Sequence, residues 1–137
     1  MWDFKTFITK MRTENNEQKV AKDIVLFLSN KYHAKVLPFQ NNNNNYLIVS
    51  NNKFNIVITV CNTDKHRVIK IEEILIEKEY RNKGLGTEIL KDIMKISKDN
   101  NCITGLWCEI NNKRGFDYYS KLGFKLADKR NDYWFEY

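Results

Sequence analysis

The sequence predicts an α/β (α+β) sandwich: a mixed central sheet, built as an antiparallel meander followed by a βαβ unit, with helices on both faces. Three observations carry this. Two stretches near the N-terminus space their apolar residues as helices do. Three strand-like runs then follow one another across asparagine-rich turns. From residue 68 the order becomes strand, helix, strand, helix and a closing pair of strands.

Phe4, Phe7, Ile8 and Met11 fall at helical spacing over 4–11. Val20, Ile24, Phe27 and Leu28 form a stronger stripe, widened by Ala21, Val25 and Tyr32, and this helix ends at or soon after Asn30. Residues 34–39 read as a short strand, which Pro38 places at a sheet edge. The run Asn41–Asn45 reads as a turn, and Asn51-Asn52 joins strands 46–50 and 53–60 as a hairpin. Residues 68–77 make a long strand. Residues 84–98 make a helix with Leu85, Ile89, Ile93 and Ile96 on one face, and 102–110 a buried strand. A helix joins those two strands, so they are expected to be parallel. A short helix over 112–121 stops at Gly123, and 124–127 with 132–137 form a final antiparallel pair.

The long strand carries an irregularity. Ile69 and Ile71 occupy odd positions, Ile74 and Ile76 even ones, so the apolar face changes parity at Glu72-Glu73. An extra residue there, a β-bulge, restores the face. A strand buried on both sides is the alternative reading.

The 137 residues, 42% hydrophobic and 29% charged, suit one globular domain spanning 1–137. No apolar run reaches the roughly 18 residues of a membrane span, and the N-terminus has no signal-peptide core. Cys61, Cys102 and Cys108 are odd in number and lack metal-ligand spacing; they read as reduced, mostly buried thiols in a cytoplasm, with no metal site. A net charge of +6 fits an anionic partner such as nucleic acid or a phosphorylated cofactor, although many small proteins carry as much. Monomer and homodimer both stay open. His33 and His66 read as surface residues. Trp107, Tyr133, Trp134 and Phe135 read as core or interface, in preference to nucleic-acid stacking.

The most informative stretch is YRNKGLGTEIL, residues 80–90. Two glycines and two basic residues stand between a strand and a helix. No G-x-x-x-x-G-K-[ST] loop is present, and Ile89 occupies the third glycine position of a dinucleotide fingerprint. What remains is R-x-x-G-x-G from Arg81 to Gly86. Such a turn opens backbone N–H groups onto a helix N-terminus, where an anion is favoured. A plain βα turn also explains the glycines.

The stretch ILIEKEYRNKGLGTEIL resembles motif A of the GNAT superfamily of N-acetyltransferases, [QR]-x-x-G-x-[GA]. NKRGFDYYSKLGF (112–124) is similar to the family's N-x-x-A-x-x-F-Y-x-x-L-G-F, with Gly115 for alanine and Tyr118 for phenylalanine. The match runs over about 67–127. IEEILIEKEYR is locally similar to polyamine acetyltransferases. The family opens with a strand before its two helices, whereas helices come first here.

The resemblance implies a GNAT-like fold and an acetyl-coenzyme A donor. Arg81, Asn82, Lys83, Gly84, Leu85, Gly86 and Thr87 would hold its pyrophosphate, and Ile74, Leu75 and Ile76 its pantetheine arm, with Asn112 and Tyr119 also touching it. It implies transfer to a primary amine in a ternary complex. The amine must be neutral to attack, and Glu72 takes the family's base position, with Glu73 beside it. Glu72 is also readable as a surface carboxylate next to Lys70. Oxyanion stabilisation falls to a backbone N–H near Leu75 or Ile76. Tyr119 matches the general acid that protonates the thiolate, against a reading as a core aromatic. Asn112 also reads as a helix N-cap. Acceptors left open are a small amine, a polyamine, an antibiotic and a protein or peptide amine. Two alternatives stand beside this: acetylation of aminoacyl-tRNA, and a non-catalytic coenzyme A-binding domain for regulation or protein contact.

Overall fold

The computed structural model describes residues 16–41, 44–63 and 66–137. Its strands are β1 (Lys35–Asn41), β2 (Asn44–Ser50), β3 (Phe54–Asn62), β4 (Arg67–Ile76), β5 (Ile103–Glu109), β6 (Lys125–Lys129) and β7 (Asp132–Glu136). Its α-helices are α1 (Asn16–Tyr32), α2 (Leu85–Asp99) and α3 (Lys113–Leu122). The helix expected over 4–11 lies outside the described residues.

The seven strands form one mixed sheet in the order β1-β2-β3-β4-β5-β7-β6. The meander β1 to β4 is antiparallel, and β4 and β5 are parallel, as the connecting helix requires. β1 is an edge strand, where Pro38 is tolerated. The asparagine run is not all turn. Asn41 pairs with Asn44, so both strands extend into it; backbone pairing at an exposed edge accepts any side chain without Pro's missing donor. Asn51 shapes the next hairpin by accepting from the N–H groups of Lys53 and Phe54 at 2.8 and 3.1 Å.

The core lies where Ile24, Val25 and Leu28 of α1 and Ile89, Leu90 and Ile93 of α2 meet Ile56, Ile58, Ile69, Ile71 and Leu106 of the sheet. α3 seats Phe116 edge-on against Tyr133 and Phe135. Phe135 pairs with Leu106 across the β5–β7 ladder and so shares its face. The sequence placed helices on both faces; the three described helices share one. Both crossovers, β4 to β5 and β5 onward to β6, move the same way across the sheet, and right-handed connections then put their helices on the same side. The opposite face carries Lys70, Trp107 and Trp134.

One polar cluster ties α2 to α1, and one glycine shapes the opposite face. Lys31 at the end of α1 pairs with Glu88 at 3.1 Å and Asp92 at 3.0 Å, and Tyr32 Oη donates to Asp92 at 2.7 Å. The glycine at 105 lets the sheet close under Trp134: a Cβ there would run into the Trp134 ring and come within 2.9 Å of a Val68 methyl.

Candidate active site

The site begins with an interruption in β4. Val57 of β3 faces Glu73 and the next residue, Ile58, faces Ile71, so Glu72 has no partner of its own. This is a bulge at the position where the apolar parity changes. It returns Ile74 and Ile76 to the core side, where both pack against the cluster.

The bulge is also where β4 leaves its parallel neighbour. Pairing with β5 covers only Val68 to Ile71. Beyond Leu106, β5 stays paired with β7 alone. Among the described residues, 72–76 therefore keep a free edge. Glu77 N–H donates to the Lys53 carbonyl at 2.8 Å. By the alternation of an antiparallel ladder, Leu75 faces β3, while Ile74 and Ile76 direct their backbone groups to the free side. The open N–H expected near Leu75 or Ile76 is thus that of Ile76, with Ile74 one pleat before it. The Ile76 carbonyl on that side accepts from Arg81 Nε at 2.7 Å.

The chain then turns through a short 3₁₀ segment, Lys78–Tyr80, into α2. Asn82 (φ 61°) and Gly84 (φ 83°) both take the left-handed region. Asparagine and glycine are the residues that adopt it most readily. Gly84 is the N-cap of α2, and no side chain caps the helix. The first-turn N–H groups of Leu85, Gly86 and Thr87 have no intrahelical acceptor. A Cβ at Gly84 would meet nothing within 4 Å. Open donors, open space and the positive end of a helix suit an anion such as a pyrophosphate.

These pieces line one cleft of about 610 Å³. Ile74, Leu75 and Ile76 form one wall. Arg81, Asn82, Gly84, Leu85, Gly86 and Thr87 form its end, and Asn112 approaches from α3. Two residues expected there are absent from the lining. Lys83 turns its ammonium over the Tyr80 ring, 6.0 Å from the centroid. A long flexible stem with an aromatic face beside it settles there by cation–π attraction. Tyr119 packs edge-on against Tyr118 and Phe124, with ring centroids 5.4 and 5.8 Å apart. Burial first, then Cys108 and Tyr118, pushes its phenol above the ordinary range. It is half-buried, and its phenol stays protonated at neutral pH.

Sequence reasoning missed Tyr80, Arg114 and Tyr118 as cleft residues. Arg114 and Tyr118 stand one turn apart on α3, and that i, i+4 spacing was the available signal. Asn112 serves as N-cap, its Oδ1 accepting from the Gly115 N–H at 2.9 Å, and it lines the cleft as well. Gly115 makes this possible: a Cβ would press on the Asn112 amide.

Glu72 pairs with Lys70 at 2.7 Å. Glu73 lies 3.4 Å from the Asn55 amide. Lys70 also lines a second cavity, about 220 Å³, on the opposite face with Trp107, Trp134, Asp128 and Arg130. The Lys70–Glu72 pair thus stands between the free edge of β4 and that cavity.

A glycine turn opening onto a helix start, beside a sheet split at a bulge, defines a mixed α/β protein with an open cleft along a strand edge. The profile of the acetyltransferase (GNAT) family matches residues 17–124, and the chain belongs to that family. Among curated proteins it is 33% identical over 67 residues to an uncharacterized N-acetyltransferase of Methanocaldococcus jannaschii, covering 48% of this chain and 30% of that protein. It is 36% identical over 62 residues to thialysine N-epsilon-acetyltransferase of Bos taurus, covering 44% and 36%. The chain spans about a third of the length of these relatives. Two solved structures share the fold. One is Arabidopsis thaliana Naa50 in complex with a bisubstrate analogue, with TM-score 0.54, 19% identity and coverage of 67% and 71%. The other is the PaiA N-acetyltransferase of Thermoplasma acidophilum in complex with coenzyme A, with TM-score 0.53, 20% identity and coverage of 82% and 65%. No helix among the described residues is long and apolar enough to cross a membrane.

Proposed function

We propose that this chain transfers an acetyl group from acetyl-coenzyme A to a primary amine, by direct transfer in a ternary complex. The observation that carries the reading is the free edge of β4, which meets the uncapped start of α2 in one cleft. Acetyl-coenzyme A supplies the activated thioester. The turn from Arg81 to Thr87 holds its pyrophosphate on backbone N–H groups. Ile74 and Ile76 offer the pantetheine arm strand-like hydrogen bonds.

Glu72, displaced from the ladder by the bulge, removes a proton from the incoming ammonium through a water. Lys70 lies 2.7 Å from Glu72, beside the cavity through which the acceptor would come. A free N–H on the β4 edge is the donor to the oxyanion. Tyr119, kept protonated by burial, donates to the departing thiolate. The bovine relative's name specifies an amine acceptor, which supports an amine here. The acceptor would approach past the Trp107–Trp134 cavity. Three free thiols suit a reducing cytoplasm.

Thiol release from acetyl-coenzyme A, followed across a panel of polyamines, amino acids, peptides and aminoacyl-tRNA, tests the reading. Acceptor-dependent release with a primary amine is expected. Coenzyme A binding without release for any acceptor would instead favour a non-catalytic domain.

A further inference from the structure

Thr87 and Tyr118 are 31 positions apart and meet at the cleft. Thr87 Oγ1 and Tyr118 Oη lie 2.6 Å apart, and either can donate. Both line the cleft together with Gly84, Gly86 and Arg114. Thr87 stands in the first turn of α2, which has no side-chain cap. Tyr118 is 37% exposed, so its hydroxyl is not there to satisfy a buried ring. The motif that this stretch resembles has phenylalanine at this place, where this chain carries a hydroxyl.

The two hydroxyls carry two protons, and the bond between them uses one. A phenol is the stronger donor of the two hydroxyl types. The favoured arrangement has Tyr118 donating to Thr87, which leaves the Thr87 proton free at the positive end of α2. A hydroxyl that accepts one bond becomes a better donor in the next, most of all toward an anion. Arg114, one turn before Tyr118 on α3, brings a cation to the same side.

We propose that Tyr118 is a positioning residue for the phosphate-bearing end of the donor: it holds the Thr87 hydroxyl as a donor aimed at an anion bound at the start of α2. The proposal rests on the acetyl-coenzyme A reading above. It makes the hydroxyl pair a device that senses the pyrophosphate and is indifferent to the thioester and the pantetheine arm.

The test uses the purified full chain and two acetyl donors. Coenzyme A affinity is measured by calorimetry. The kcat/KM is measured for acetyl-coenzyme A and for S-acetylpantetheine, which has no pyrophosphate, in the first-order regime at high enzyme concentration. Tyr118→Phe is expected to raise the coenzyme A Kd about tenfold, the loss that follows from one hydrogen bond to a charged group. Its kcat/KM for acetyl-coenzyme A should fall in proportion, while that for S-acetylpantetheine stays within about twofold. Thr87→Val should match it, the double variant should be no worse than either single one, and Thr87→Ser should keep the affinity. An equal loss with both donors, or an unchanged coenzyme A Kd, overturns the proposal and leaves the pair a brace between helices. If the wild-type protein binds no coenzyme A, the donor reading itself falls and the hydroxyl pair's role falls with it.

Discussion

Replacing Tyr119 with phenylalanine removes a single oxygen from α3. The ring contacts with Tyr118, Phe124 and Phe135 remain, and no hydrogen bond joins the hydroxyl to another described residue. Stability should therefore change by no more than about 0.5 kcal/mol. General acids contribute roughly 10²–10⁴-fold. The lower end applies here, because burial makes this phenol a weaker acid than usual, and a thiolate with a pKa of about 8.5 already leaves without much help. Tyr119→Phe should lower kcat about 10²-fold. The raised pKa also sets the direction with pH. The acid is intact below the ordinary phenol value of about 10, so the wild-type enzyme loses nothing on this account at pH 7–9. Because the folded value exceeds the unfolded one, the stability this group contributes is complete below about pH 10 and is lost as pH rises through the raised value. The assay is thiol release at saturating donor and acceptor, with a melting curve on the same sample. A kcat within about twofold of wild type would remove Tyr119 from the chemistry. A large drop in Tm would assign the loss to packing.

Three further outcomes follow from the geometry. Glu72→Gln should cut kcat/KM about 10²-fold for an amine acceptor while calorimetry shows an unchanged coenzyme A Kd; a parallel loss of affinity would make Glu72 part of the binding surface. Gly115→Ala restores the family's usual residue and displaces the Asn112 cap, losing about 1 kcal/mol and regaining about as much in helix propensity. Its Tm should stay near wild type while coenzyme A binding shifts, and a clear rise in Tm would show that the cap survives. Gly105→Ala forces a Cβ into Trp134 and Val68 and should cost about 2–3 kcal/mol in denaturant unfolding; an unchanged midpoint would mean that the ring moves freely.

The site was legible in the sequence wherever a local rule was broken. The parity change from Ile71 to Ile74 located the bulge, because a two-residue period has no other way to keep one face buried. The glycines at 84 and 86 located the turn. Features that depend on two distant elements meeting were not legible. Nothing local says that Tyr118 reaches Thr87. The place of β7 between β5 and β6 was hidden too. Tyr133, Trp134 and Phe135 are half or fully buried in succession, because the strand is covered by α3 on one face while Trp134 lies over Gly105 on the other. Read alone, three consecutive aromatics mark a strand without saying which neighbours it has.

On the proposed function, the free edge of β4 and the start of α2 receive acetyl-coenzyme A. Hydrogen–deuterium exchange of the full chain, with and without saturating acetyl-coenzyme A, tests it most directly. Slowed exchange is expected in residues 72–77 and 80–90, including the N–H groups of Ile74, Ile76 and Gly86, with little change in β1 and β2. Unchanged exchange in those two segments at saturation, or protection centred elsewhere in the sheet, would contradict it.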